Sequence, residues 1–229
     1  MSEYTFRKAK HGDDKALVIL LSAEQSLLFD YIFRMTANPD LASGSLKEIV
    51  GAVTSQISDY RDFEHLRVSL FSTARRFNFE SWNADTKHLI KESDPEKSFD
   101  SEFYRLSGEI RETALLYYRL DFSINEMMEI MGVSRQRIEE NIEKSKLLLE
   151  EISSHEETPN SLGEAMGSLP FIPNPNGEEE GTMAISQVVA DIRKPNIFGL
   201  GKRLFFILLL LALLAIALYF NLDKLNLPQ

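Results

Sequence analysis

Residues 106–152 read LSGEIRETALLYYRLDFSINEMMEIMGVSRQRIEENIEKSKLLLEEI. Ser107 stands where a helix N-cap belongs, and Glu109, Ile110, Ala114, Leu115 and Tyr118 follow in a helical pattern. Asp121 and Phe122 turn the chain. Ser123 and Glu126 then form a capping box, hydroxyl to N3 amide and carboxylate back to the cap amide, opening a short helix with Ile124, Met127, Met128 and Met131. Gly132 breaks that helix, Val133 is apolar, and Ser134 caps a longer one. A short helix, a tight turn and a longer helix together form a helix-turn-helix signal.

Upstream of this stretch the pattern is also helical. Leu17, Leu20, Leu21, Leu28, Ile32 and Met35 recur after Gly12 and Asp13, and the run halts at Asn38 and Pro39. Ser45 and Glu48 read as a second capping box, opening a helix with Leu46, Ile49, Val50, Val53 and Ile57. A third helix is expected from about Asp62 to Trp82. Strand-period alternation is missing, so the expected fold class is all-α.

On a wheel of ~100° per residue, Phe63, Leu66, Leu70, Ala74 and Phe77 form the expected buried face of the third helix. Phe71, Arg75, Asn78, Phe79 and Trp82 fall roughly opposite. Aromatic rings beside arginine suit single-stranded DNA, because bases stack on rings while the cation neutralises phosphate. Cover by another helix explains the same face, and both readings stand at this point.

Downstream of Ser154 the periodicity stops. Prolines and glycines alternate as far as Gly201, and the run Glu178, Glu179, Glu180 repels itself. The stretch reads as a tether interrupted by one short helix, Met183–Ile192 (MAISQVVADI). It is either a plain solvated linker or a carrier of a docking peptide built on Phe171 or on that helix. Leu204–Phe220 (LFFILLLLALLAIALYF) holds no charge, glycine or proline and would span about 26 Å as a helix. That is close to the ~30 Å of a hydrocarbon core, with Lys202, Arg203 and Lys224 able to snorkel and Tyr219 at the interface. A buried core helix is the competing reading. Two flanking cations on the N-terminal side place the N-terminal bulk in the cytoplasm, and MSEYTFRKAKHGDD lacks the apolar region of a signal peptide.

Composition narrows the function classes. The chain has 229 residues, 44% of them hydrophobic and 26% charged, which is ordinary globular usage. With no cysteine and four scattered histidines there is no disulfide framework, thiolate site or metal-ligand spacing, and no phosphate-loop or nucleophile-elbow motif occurs. A net charge of −10 argues against non-specific coating of nucleic acid, so any nucleic-acid contact is local.

Taken together, these segments resemble bacterial sigma factors of the extracytoplasmic-function type. Leu106–Ile152 is similar to their fourth conserved region. KAKHGDDKALVILL (residues 8–21) is similar to the opening helix of their second region, Asp40–Ala42 with Leu46 and Glu48 to the polymerase-binding helix, and FEHLRVSLFSTARRFNFESW (residues 63–82) to the promoter-melting segment. The resemblance covers about residues 7–152 and rests on order and spacing. It implies a region-2-like bundle over 7–86, a linker over 87–103 and a region-4-like helix-turn-helix over 104–153. The tether (154–202) and a single transmembrane helix (203–222) complete the expected architecture. The resemblance further implies polymerase contact at Leu46 and Glu48 and strand capture by Phe71, Arg75, Asn78, Phe79 and Trp82. Duplex reading falls to Ser134, Arg135, Arg137, Asn141, Lys144 and Lys146. The partners implied are core RNA polymerase, promoter DNA and a lipid bilayer, together with a regulatory protein on the tether or the last helix. No cofactor or metal is implied, and the location is the bacterial inner membrane with cytoplasmic N-terminal domains.

Two departures keep a second function open. Ile138, Ile142, Ser145, Leu149 and Ile152 share the inward face of the last helix, so Gln136, Glu140, Glu143 and Leu147 centre the outward face, where the family usually carries cations. Ser43 and Gly44 replace the family's acidic pair, and Gly51 adds a helix penalty of ~1 kcal/mol relative to alanine. The leading expectation is a membrane-tethered, sigma-like transcription regulator. The alternative is a degenerate sigma-like scaffold that binds another protein at the membrane and no DNA. No enzymatic function is expected.

Overall fold

A computed structural model describes residues 3–78, 103–153, 166 and 177–193. Glu3–Lys10 forms α1, which buries Phe6 and Ala9 and leaves Tyr4 and Arg7 outside. Lys10 Nζ donates to the Tyr60 carbonyl at 2.6 Å, fastening α1 to the turn after residue 57. Asp14–Thr36 forms α2, opened by Asp13, whose side chain accepts from the Ala16 amide at 3.0 Å. It ends where Ala37 turns left-handed (φ 55°). All six apolar residues that marked this helix in the sequence are buried. Among the described helices, α2 is long and apolar enough to cross a membrane, yet 61% of that stretch is buried inside the fold. A helix apolar on nearly every side is stable only inside something. Here α1 and the helices Pro39–Ser55, Phe63–Asn78 and Gly108–Ala114 supply the walls.

Pro39–Ser55 forms α3, and its start corrects the sequence reading. Asn38 Oδ1 accepts from the Leu41 amide at 2.9 Å and proline takes the first helical position, where its missing N–H costs nothing. Ser45 is therefore inside the helix, and the Ser45/Glu48 pair is no cap. Phe63–Asn78 forms α4, capped by Asp62, whose carboxylate accepts from the His65 amide at 2.9 Å. Phe63, Leu66, Leu70 and Ala74 are buried as expected, but Phe77 is half exposed. Val68, Phe71 and Thr73 are buried too, so apolar contact wraps most of the way around α4.

The second segment supplies that cover. Gly108–Ala114 (α5) runs into a π-helical turn over Leu115–Arg119, and Asp121 (φ 56°) makes the expected corner. Ser107 is the N-cap residue, although its hydroxyl makes no capping bond. Ile124–Met131 (α6) opens with the Ser123/Glu126 capping box intact in both directions and closes on left-handed Gly132 (φ 68°). Arg135–Ser153 (α7) follows. α6 packs on α4, and α5 packs on both α2 and α7. The described residues are all helix, turn or coil.

Rings and buried ions join the two segments. Phe71 makes edge contacts with Tyr31 at 5.1 Å and Phe122 at 5.0 Å between centroids. Glu112, buried, accepts from Tyr31 Oη at 2.8 Å and from Arg75 Nε at 3.0 Å. Burial and that carboxylate push the Tyr31 hydroxyl well above its usual titration range. Asp30, fully buried, accepts from Arg34 Nε at 3.0 Å and Arg119 Nε at 2.8 Å. Arg67 bridges Glu24 (3.0 Å) and the Leu120 carbonyl (2.9 Å) while lying over the Phe122 ring.

The region expected as a tether contains a helix, Gly177–Arg193 (α8), longer than the Met183–Ile192 reading. Ile185, Val188 and Val189 are buried. Met166 is buried as well, and its carbonyl accepts from Arg119 Nη1 at 2.9 Å. Residues through Ile192 belong to one compact unit. Phe171 and the apolar run Leu204–Phe220 lie outside the described residues.

Removing one partner from a buried ion pair strands the other in a medium that cannot solvate it, which typically costs roughly 3–5 kcal/mol. Asp30→Ala, which leaves Arg34 and Arg119 without this carboxylate, is expected to fall in that range. Asp13→Ala removes only the cap of α2 and should cost about 1 kcal/mol. Urea unfolding of the two variants checks both the sizes and their order.

Candidate nucleic-acid interface

The helix-turn-helix comprises α6, the turn at Gly132–Ser134, and α7. Ser134 is exposed, and its Oγ accepts from the Arg137 amide at 3.3 Å. Ile138 and Ser145 are buried and Ile142 is half-buried, so the apolar stripe of α7 faces inward as its spacing requires. Gln136, Glu140, Glu143 and Leu147 are all exposed, as the wheel placed them. Gln136 Nε2 donates to Glu140 Oε1 at 3.0 Å, so these two satisfy each other along the helix.

Cations assigned to duplex DNA divide into two groups. Arg137 is held by Glu109 of α5 through two bonds, Nε at 2.6 Å and Nη2 at 2.9 Å. Arg135 Nη2 donates to Asn125 of α6 at 2.6 Å, and Nη1 lies 3.5 Å from Glu139. Lys144 and Lys146, two turns further on, are exposed. Asn141 is a correction: it is 1% exposed, and its amide donates to Glu109 at 3.0 Å and Thr113 at 3.5 Å. It locks α7 onto α5 and is not presented to a groove.

The single-strand face is corrected as well. Phe71 is fully buried between Tyr31 and Phe122, and Arg75 is committed to Glu112. Covering this face brought α5 and α6 onto α4, because exposed rings lose more than they gain when a second apolar surface is available. Asn78 is the last residue of α4, while Phe79 and Trp82 lie outside the described residues. Of the two polymerase candidates, Leu46 is buried at 7% exposure and Glu48 is exposed on α3. The described structure therefore does not bring these candidates together as one surface.

Glu109, Thr113 and Asn125 are the residues that sequence reading missed. Glu109 looked like an ordinary first-turn acid. The available signal was the Arg137/Asn141 pair, four residues apart beside the apolar stripe, which implies an acceptor on the facing helix without saying which one. The Arg137 guanidinium, with the Asn141 amide in a lesser part, holds the Glu109 carboxyl down to about 2 against the opposing effect of partial burial. A depressed carboxylate stabilises the fold fully above the ordinary range near 4.5 and loses that contribution as pH falls toward 2. Glu109→Gln should therefore be less stable than the parent at about pH 7, with the gap narrowing by about pH 3. Urea unfolding at the two pH values reads this directly.

A family model described as "Putative helix-turn-helix protein, YlxM / p13 like" matches residues 106–157, less than half of the chain. No curated protein matches the chain, and neither does any solved structure. The matched residues contain the turn at Gly132–Ser134 and its two flanking helices, so sequence family and geometry agree on a helix-turn-helix domain, which suggests a DNA-binding regulatory role.

Proposed function

We propose that this protein is a sigma-like transcription regulator that reads duplex DNA with α7 and is moored to the inner face of a bacterial membrane by Leu204–Phe220. The supporting observation is the helix-turn-helix with an exposed α7 carrying Arg135, Lys144 and Lys146 outward. Their positions suit phosphate contact on either side of a groove, with Gln136 between them available to a base edge. Glu140 and Glu143 discriminate against most sequences and accept from cytosine N4 where one is offered. Core polymerase is assigned to the exposed face of α3 around Glu48. The reading involves no catalytic step, metal or cofactor.

One observation favours the adaptor reading. Arg137 is engaged by Glu109, and the outward surface of α7 presents Glu139, Glu140 and Glu143 together with exposed Leu147 and Leu148. Acidic and apolar side chains on one surface fit a protein partner with a basic rim better than a polyanion.

Salt titration separates the two. Three phosphate contacts give a slope of about −3 in log affinity against log salt, since each contributes about −0.9. Lys144→Ala with Lys146→Ala should flatten that slope by about 2 and weaken binding on all sequences alike. Anisotropy measurements with the detergent-solubilised full chain test this. No complex at low ionic strength would leave the adaptor standing.

A further inference from the structure

Helix α8 rests on two helices at once. On α2, the Gln25 side-chain amide occupies the place where a Cβ of Gly181 would be, so α8 meets α2 there through a residue without a side chain. On α3, a Cβ at Gly51 would lie 3.7 Å from Val188 Cγ1 and 3.8 Å from Ile192 Cδ1. Val18 and Ile19 of α2 line an apolar groove of about 360 Å³ with Val189 and Ala190 of α8. The seat is therefore a shallow apolar cleft closed by an amphipathic helix, a recurring mode of helix recognition.

Two features mark this helix as loosely held compared with the rest. Among its described side chains, Ile185, Val188 and Val189 carry the burial, while Met183 at 65% and Ile192 at 38% exposure leave apolar surface outside. The groove beside α8 is open to solvent, and Ile19 on its α2 wall is 56% exposed. The position is equally specific. Gly51 lies three residues beyond Glu48 and four beyond Lys47, so on a helix all three share one face. α8 thus sits one turn from the carboxylate to which polymerase contact is assigned.

We propose that α8 is a displaceable lid on the α2–α3 groove, and that while seated it excludes the partner that binds at Glu48. This rests on the reading of that face as the polymerase contact. A partner that needs the lid open binds with an affinity lowered by the open fraction, and removing the lid restores the difference.

Val189→Asp places a charge at a 1% exposed site of the lid and unseats it without touching Glu48. Gly51→Leu does so from the other side, filling the space taken by Val188 and Ile192. Gly51→Ala leaves ordinary contact distance and keeps the lid closed. With full chain in detergent and core polymerase, the first two variants should bind on the order of tenfold more tightly than the parent and Gly51→Ala. A synthetic Gly177–Arg193 peptide in excess should reverse the gain of Val189→Asp, whose seat is intact, and leave that of Gly51→Leu, whose seat is filled. Equal affinity across all four proteins overturns the lid and leaves the polymerase assignment intact. If none of the four binds, the polymerase assignment falls and the exclusion falls with it.

Discussion

Helix α2 is apolar on nearly every side, and that constraint organises the rest of the described fold. Such a helix cannot rest on one neighbour, since any uncovered face leaves leucine or isoleucine in water at about 25 cal/mol per Å². It must be walled in. Its few polar positions then decide which wall goes where. Glu24 meets Arg67 of α4, Asp30 meets Arg119 of the π-helical turn, and Tyr31 meets Glu112 of α5. Buried polar groups left unmatched are expensive, so each pairing tolerates little sliding of its helix along α2. Apolar burial drives the assembly, and these three residues set its register.

That division of labour explains what could be read from the chain directly. The apolar stripe of α2, the capping box at Ser123 and Glu126, the break at Gly132 and the inward face of α7 are local: each is written within four residues of itself. Asn38–Pro39 is local too: the same pair that stops α2 starts α3, while Ser45 and Glu48, inside that helix, mimic a cap. Long-range facts were out of reach. Arg75 and Glu112 lie 37 residues apart, and Arg119 and Asp30 lie 89 apart. Nothing in either neighbourhood names its partner. A wheel sorts α4 into faces, but it cannot say that a second apolar surface will arrive to cover Phe71.

A recognition helix needs a rigid seat, and Glu109 provides one by holding both Arg137 and Asn141 of α7 from α5. Rigidity has a cost in available charge. Each arginine engaged by a carboxylate at home is one fewer for phosphate, and the remaining exposed cations stand among Glu139, Glu140 and Glu143. A domain so balanced gains little from non-specific attraction, so whatever it binds must be matched group by group.

Gly51 shows how a residue that looks like a defect within its own helix acquires a reason in the assembled fold. Inside α3 it costs about 1 kcal/mol relative to alanine, and Gly181 inside α8 carries a similar penalty. The two glycines face different partners across one contact. At Gly181 a Cβ would fall on the Gln25 amide, while at Gly51 it would meet Val188 and Ile192 at ordinary contact distance. Both penalties fall on the helices that form the α8 seat, so they weaken those helices and permit close approach together. A contact made this way has small burial and two unfavourable helix propensities, which is the composition expected of a joint that opens more easily than the ion-paired seam between α4 and α5.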